Sequence, residues 1–98
     1  MDDIDKTAEQ EIKKLFQSFV DFKKNKVFVF GSRARGRARK FSDYDIGILG
    51  RRPLSSEKMA LIKDAFEESN LPYRVDVVDF STVSKKFKNI ALKKIKKL

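Results

Sequence analysis

The sequence predicts a small α/β domain in which helices pack on one sheet, and three observations lead to that class. Segments with apolar residues at helical spacing alternate with short β-branched and aromatic runs, in the order helix, strand, strand, helix, strand, helix. The first two strand-like runs each stop at a glycine, VFVF at Gly31 and DYDIGIL at Gly50. The chain has 98 residues, 41% of them hydrophobic and nine of them phenylalanine, enough for one core and too few for a second, so a single domain over 1–98 is expected.

Each element has its own signal. Thr7 to Gln10 has the spacing of a capping box, and Ala8, Ile12, Leu15, Phe16, Phe19 and Val20 recur on one helical face, predicting a first helix that stops near Asn25. VFVF at 27–30 reads as a buried strand feeding a tight turn, and DYDIGIL at 43–49 as a second strand closed by Gly50 and Pro53. Ser55 or Ser56 caps a second helix with Met59, Ile62 and Phe66 on its apolar face, and Asn70 with Pro72 ends it. YRVDVVDF at 73–80 is the third strand. Ser81 opens a last helix in which Val83, Phe87, Ile90, Ala91, Ile95 and Leu98 share one face and lysines cover the rest.

Composition narrows the chemistry. The net charge of +9 is uneven: Arg33, Arg35, Arg37, Arg39 and Lys40 crowd one loop, and Lys85, Lys86, Lys88, Lys93, Lys94, Lys96 and Lys97 load the C-terminal stretch. Asp2, Asp3, Asp5, Glu9 and Glu11 make the opening residues acidic instead. Such polarity suits an anionic ligand or partner: a nucleotide, a nucleic acid or an acidic protein face. Cysteine and histidine are both absent, which excludes disulfides, thiolate zinc sites, imidazole bases and Ser-His or Cys-His nucleophiles. Oxygen ligands remain. No apolar run approaches the roughly 20 residues that span a bilayer, and the start lacks a signal-peptide profile, so a cytoplasmic protein without a membrane partner is expected.

The chemistry concentrates between Gly31 and Leu49. Asp43 and Asp45 stand two apart on a strand and so project to one face, about 6.5 to 7 Å apart along the chain. Like charges that close resist joint ionisation unless a cation compensates them, and a hard-oxygen ligand set fits magnesium or manganese. Asp76 lies between Val75 and Val77, where a charge buried among valines needs a partner or a metal. If the second and third strands are neighbours, Asp76 completes a triad with Asp43 and Asp45. Three carboxylates on one sheet face suit two metals about 3.5 to 4 Å apart, the arrangement for in-line phosphoryl or nucleotidyl transfer.

Gly31 and Ser32 supply the other half. Glycine lets the backbone approach a phosphate, while amide N–H groups and the serine hydroxyl donate to it at the start of a short helical turn. A triphosphate held at Ser32 would be bridged by metal to Asp43 and Asp45, with Arg33 and Arg35 offsetting the remaining phosphate charge. GSRARGRA is not a Walker A loop, because Arg37 and Ala38 occupy the places of its Lys and Ser or Thr.

Gly31-Ser32, ten residues, then Asp43-x-Asp45, with flanking GSRARG and SDYD and a later strand carboxylate at Asp76, resembles the nucleotidyltransferase superfamily typified by DNA polymerase β. The resemblance is to its minimal members, the MNT antitoxins paired with HEPN toxins, and the element order extends it over nearly the whole chain. It implies a mixed sheet with helices on one face, two Mg2+ ions, ATP as donor and AMP transfer with release of pyrophosphate. It implies that Asp43 and Asp45 ligate both metals and that Asp76 helps bind the one that activates the acceptor hydroxyl. The implied acceptor is a tyrosine of a HEPN-family RNase toxin, which makes a hetero-oligomer the expected assembly.

Plainer explanations compete at single positions. Asp43 and Asp45 also suit a solvated strand start, Asp76 a pairing with Arg74 or a basic loop residue, and Ser32 a helix cap. Asp79 reads as a cap ahead of the last helix, Tyr44 as core or rim packing, and Arg37, Arg39 and Lys40 as solvated or partner-facing groups. At the level of the whole protein, a non-catalytic antitoxin that masks a HEPN RNase by contact and a basic RNA-binding module are the alternatives. Nucleic acid is the less favoured partner.

Overall fold

The elements follow the expected order with one addition. In the computed structural model, which describes residues 3–36 and 42–98, α1 (Asp3–Gln17), β1 (Asn25–Phe30), a 3-10 turn (Gly31–Arg33), β2 (Tyr44–Gly50), α2 (Ser56–Glu67), β3 (Val75–Asp79) and α3 (Lys85–Ala91) precede a two-residue strand, β4 (Lys96–Lys97). The sheet order is β3-β2-β1-β4. β1 runs antiparallel to β2 and β4, whereas β2 and β3 are parallel because α2 carries the chain back across the sheet between them. The mixed sheet is as expected.

Side-chain alternation sorts β2 between two apolar layers. Tyr44, Ile46 and Ile48 point to the face covered by Ala8, Ile12 and Phe16 of α1 and by Ile62 and Phe66 of α2. The opposite face carries Phe28, Phe30 and Phe80, and there the arrangement departs from helices on one face only: α3 covers these rings with Ala91 and neighbouring apolar residues. The cause is legible in VFVF, where both alternating sets are apolar and each must be shielded from water. Phe80 meets Phe28 and Phe30 edge-on, with ring centroids 4.9 and 5.0 Å away.

Helix limits also differ from the sequence reading. α1 begins upstream of Thr7, so no capping box opens it, and it ends at Gln17 with turns carrying the chain to β1. α2 is capped by Ser55, which accepts from the Lys58 amide at 3.1 Å. α3 is capped by Ser84 rather than Ser81 and stops at Ala91. Ile95 stays in the phenylalanine layer, but Leu98 crosses to the α1–α2 layer, its amide donating to the Val27 carbonyl at 3.0 Å. Phe87 and Ile90 remain about half exposed. Asp79 caps no helix; its carboxylate accepts from the amides of Leu54 (2.8 Å) and Ser81 (3.0 Å) and so ties the end of β3 to the chain entering α2. Among the described residues no helix is long and apolar enough to cross a membrane.

Gly47 lets the phenylalanine layer close. A Cβ there would lie 2.5 Å from Phe28 Cε2 and 2.7 Å from Phe80 Cε1, closer than carbon atoms approach. Gly47→Ala is expected to destabilise the fold by about 1–3 kcal/mol through overpacking, measured as a lower urea midpoint at unchanged slope.

Candidate active site

The parallel register of β2 and β3 sets Asp45 directly opposite Asp76. Both belong to the face that carries Gly47, Val78 and the phenylalanine rings, so the two carboxylates rise side by side. Asp43 lies just ahead of β2, exposed, two residues before Asp45. Burial pushes the Asp45 carboxyl above its ordinary value, and the negative charges of Asp76 and then Asp43 push it further. That repulsion shows three carboxylates within electrostatic reach of one another.

Asp76 is not buried among valines as the sequence suggested. Val75 and Val77 turn to the α1–α2 layer, while the Asp76 side chain is 42% exposed and pairs with the Nε of the more exposed Arg74 at 3.4 Å. The competing explanation from Arg74 therefore holds together with the strand pairing. Among the described residues no three acidic side chains gather on one point. Their donor set is hard oxygen on one face, and the charge crowded around Asp45 is what a divalent cation relieves, so the residues fit magnesium. The backbone of the two strands sets Asp45 and Asp76 in register.

The glycine-serine turn abuts this cluster. β1 ends at Phe30, the register partner of Asp45, and Gly31 follows at φ +74° in the left-handed region. A Cβ on Gly31 would sit 2.5 Å from Asp45 Oδ2, so the turn approaches the carboxylate as closely as a backbone without a side chain allows. Gly31, Ser32 and Arg33 form one 3-10 turn, whose carbonyl at Gly31 accepts from the amides of Ala34 and Arg35 at 3.1 Å each. No side chain caps that turn, so Ser32 is not its cap.

The arginines part company. The Arg33 guanidinium turns from the carboxylate face: it rests against the rings of Tyr44 and Tyr73, 4.1 and 4.5 Å from their centroids, and donates to the Ser42 carbonyl. Those tyrosines are buried in the α1–α2 layer, Tyr44 as core packing, and their π faces attract the cation. Arg35 is exposed and lines an open cleft of about 500 Å3 with Ile90, Lys93 and Lys94. The two lysines were not singled out from sequence, because only the placement of α3 on the phenylalanine face brings them beside the turn. A larger cavity of about 850 Å3 lies between α1 and α2 near Ala8, Leu15, Leu71 and Pro72, but it is remote from the carboxylates and mostly apolar. Arg37, Arg39 and Lys40 fall outside the described residues.

A mixed sheet that presents paired strand carboxylates against a glycine-serine bend is the ground plan of a small nucleotidyltransferase. The chain belongs to the Polymerase beta nucleotidyltransferase family, whose description matches residues 10–98. It is 45% identical over 67 residues to the probable protein adenylyltransferase MntA of Haemophilus influenzae, an alignment spanning 68% of this chain and 59% of that relative. The crystal structure of a toxin–antitoxin with AMP-PNP superposes with a TM-score of 0.73 at 26% identity, covering 91% of this chain and 70% of the other. A Shewanella oneidensis tri-AMPylated HEPN toxin in complex with MNT antitoxin shares the fold, with a TM-score of 0.70 at 23% identity over 94% of this chain and 69% of that one.

Two outcomes follow from the site. Gly31→Ala is expected to cost about 1–2 kcal/mol in urea unfolding for the left-handed backbone alone, and more if Asp45 cannot move aside. Because Asp45 titrates above 3.8 in the folded protein, its contribution to stability is fully present below 3.8 and is lost as pH rises through the raised folded value. Asp45→Asn is therefore expected to raise the melting temperature by several degrees at pH 7 in metal-free buffer and to give no such gain below pH 3.8, as read by calorimetry.

Proposed function

We propose that this protein is a metal-dependent nucleotidyltransferase that transfers AMP from ATP to a hydroxyl, a tyrosine in our reading, of a HEPN-family toxin, and so acts in the cytoplasm as the antitoxin of that toxin. The observation that carries the reading is the Asp45–Asp76 register with Gly31 pressed against Asp45. The relative named as a probable protein adenylyltransferase and the AMP-PNP complex of a structurally similar toxin–antitoxin support the donor and the class of acceptor.

In this mechanism Asp43, Asp45 and Asp76 hold two Mg2+ ions, or Mn2+ in their place, which supply Lewis-acid stabilisation of charge on the phosphates. The amides of the turn after Gly31 and the Ser32 hydroxyl donate to phosphate oxygens, and Gly31 leaves room for that approach. Arg35 faces the outer phosphates from the exposed side of the turn. The acceptor hydroxyl releases its proton to water as its oxygen bonds to the α-phosphorus and the bond from that phosphorus to the bridging oxygen breaks, so pyrophosphate leaves and the acceptor carries AMP. The site is open on the side opposite the sheet, which suits closure by a partner in a hetero-oligomer.

The test is labelling of a HEPN-family toxin that this protein binds, with ATP and Mg2+, read as a mass gain of one AMP on the partner. The Asp43→Asn, Asp45→Asn variant is expected to lose at least the roughly 100-fold that even outer-sphere changes remove from metal sites, and chelation to abolish the gain. Equal labelling by both proteins would falsify the assignment. Neutralisation of the toxin that survives removal of all three carboxylates would instead identify masking by contact as the mode of action.

A further inference from the structure

Arg33 reaches from the glycine-serine turn to the residue that immediately precedes Asp43. Its Nε and Nη2 both donate to the Ser42 carbonyl, at 3.0 and 2.8 Å, so one planar fork spans a single acceptor. The guanidinium lies on the rings of Tyr44 and Tyr73, which meet edge-on with centroids 5.3 Å apart. Tyr44 follows Asp43 directly and its amide donates to the Arg74 carbonyl at 2.9 Å, which joins the start of β2 to the approach of β3. The Tyr44 hydroxyl donates to Glu9 at 3.4 Å, and Glu9 pairs with Lys96 at 2.8 Å, so the tyrosine is itself held from the far side.

We infer that Arg33 is a positioning residue, a tether on the reverse face of the sheet that fixes the distance between the Gly31–Ser32 turn and the Asp43–Asp45 carboxylates. The inference rests on the proposed nucleotidyl transfer for its kinetic consequence, but the tether itself does not. Turn and strand are separated by an arginine-rich segment of sequence, and among the described residues nothing in the β1–β2 ladder reaches beyond the Phe30–Asp45 pair to set where Asp43 stands. The fork does so from behind, leaving the carboxylate face clear for metal and nucleotide. Lysine keeps the charge at this place but has neither the planar fork nor the stacking face, so Arg→Lys is not conservative here.

The experiment compares wild type with Arg33→Lys and with Tyr73→Leu, which removes one ring of the stack far from the phosphates. Mn2+ binding by electron paramagnetic resonance, binding of ATP and of AMP in the presence of Mg2+, and amide hydrogen exchange at Ser42 to Asp45 are measured in each. The tether predicts faster exchange at those amides in both variants and a loss of Mn2+ affinity in the roughly 10- to 100-fold range typical of outer-sphere changes. It further predicts equal weakening of ATP and AMP and, where AMP transfer is measurable, a lower kcat with a KM for ATP that rises in step with the loss of ATP affinity. Unchanged exchange and Mn2+ affinity overturn it, as does selective loss of ATP over AMP in Arg33→Lys alone, which marks a phosphate ligand. If wild type binds Mn2+ yet transfers no AMP, the proposed reaction fails while exchange and Mn2+ affinity still decide the tether. If Arg33→Lys does not fold, Tyr73→Leu decides by the same readouts.

Discussion

Two aspartates held side by side on adjacent parallel strands are the constraint around which the domain is arranged. Asp45 and Asp76 are register partners, and Asp43 adds a third charge within reach, so like charges repel one another around Asp45. Burial of Asp45 makes that repulsion stronger than it would be in water. The fold offsets part of it by pairing Asp76 with Arg74, an exposed contact that screening keeps weak and that is easily surrendered to a better cation.

The rest of the architecture keeps those carboxylates in place while leaving one side open. The α1–α2 layer buries Tyr44, Ile46 and Ile48, which fixes the alternation of β2 and thereby aims Asp45 at the opposite face. On that opposite face the phenylalanine layer, closed by Gly47 and covered by α3, fills the region beside the carboxylates without covering them. Gly31 completes the edge of the site by bringing backbone where any other residue would place a side chain. Core packing and site geometry are thus two faces of the same strands.

The basic residues divide by environment rather than by position in the motif. Arg33 and Arg35 are two residues apart, yet the first is stacked on tyrosines behind the sheet and the second stands exposed with Lys93 and Lys94. A motif reading treats both as phosphate ligands because spacing carries no record of which face a long side chain will choose. The two lysines entered the site region only because α3 ends early and lies on the phenylalanine face. Apolar spacing along the chain placed them on the solvated face of a last helix.

Much of the site was legible in the order of residues alone. A glycine-serine pair after an apolar strand turns as its residue types require, and the Asp-x-Asp spacing marked the start of β2, although Asp43 itself stands one residue ahead of the strand expected to carry it. Element order and type were likewise local properties, written in apolar periodicity. Tertiary structure alone decided the parallel register that sets Asp76 against Asp45, the exposure of Asp76 and its pairing with Arg74, the side of the sheet taken by α3, and the turning of Arg33 toward Tyr44 and Tyr73. Those outcomes depend on contacts between residues far apart in the chain, where burial and electrostatics are settled only when the strands have met.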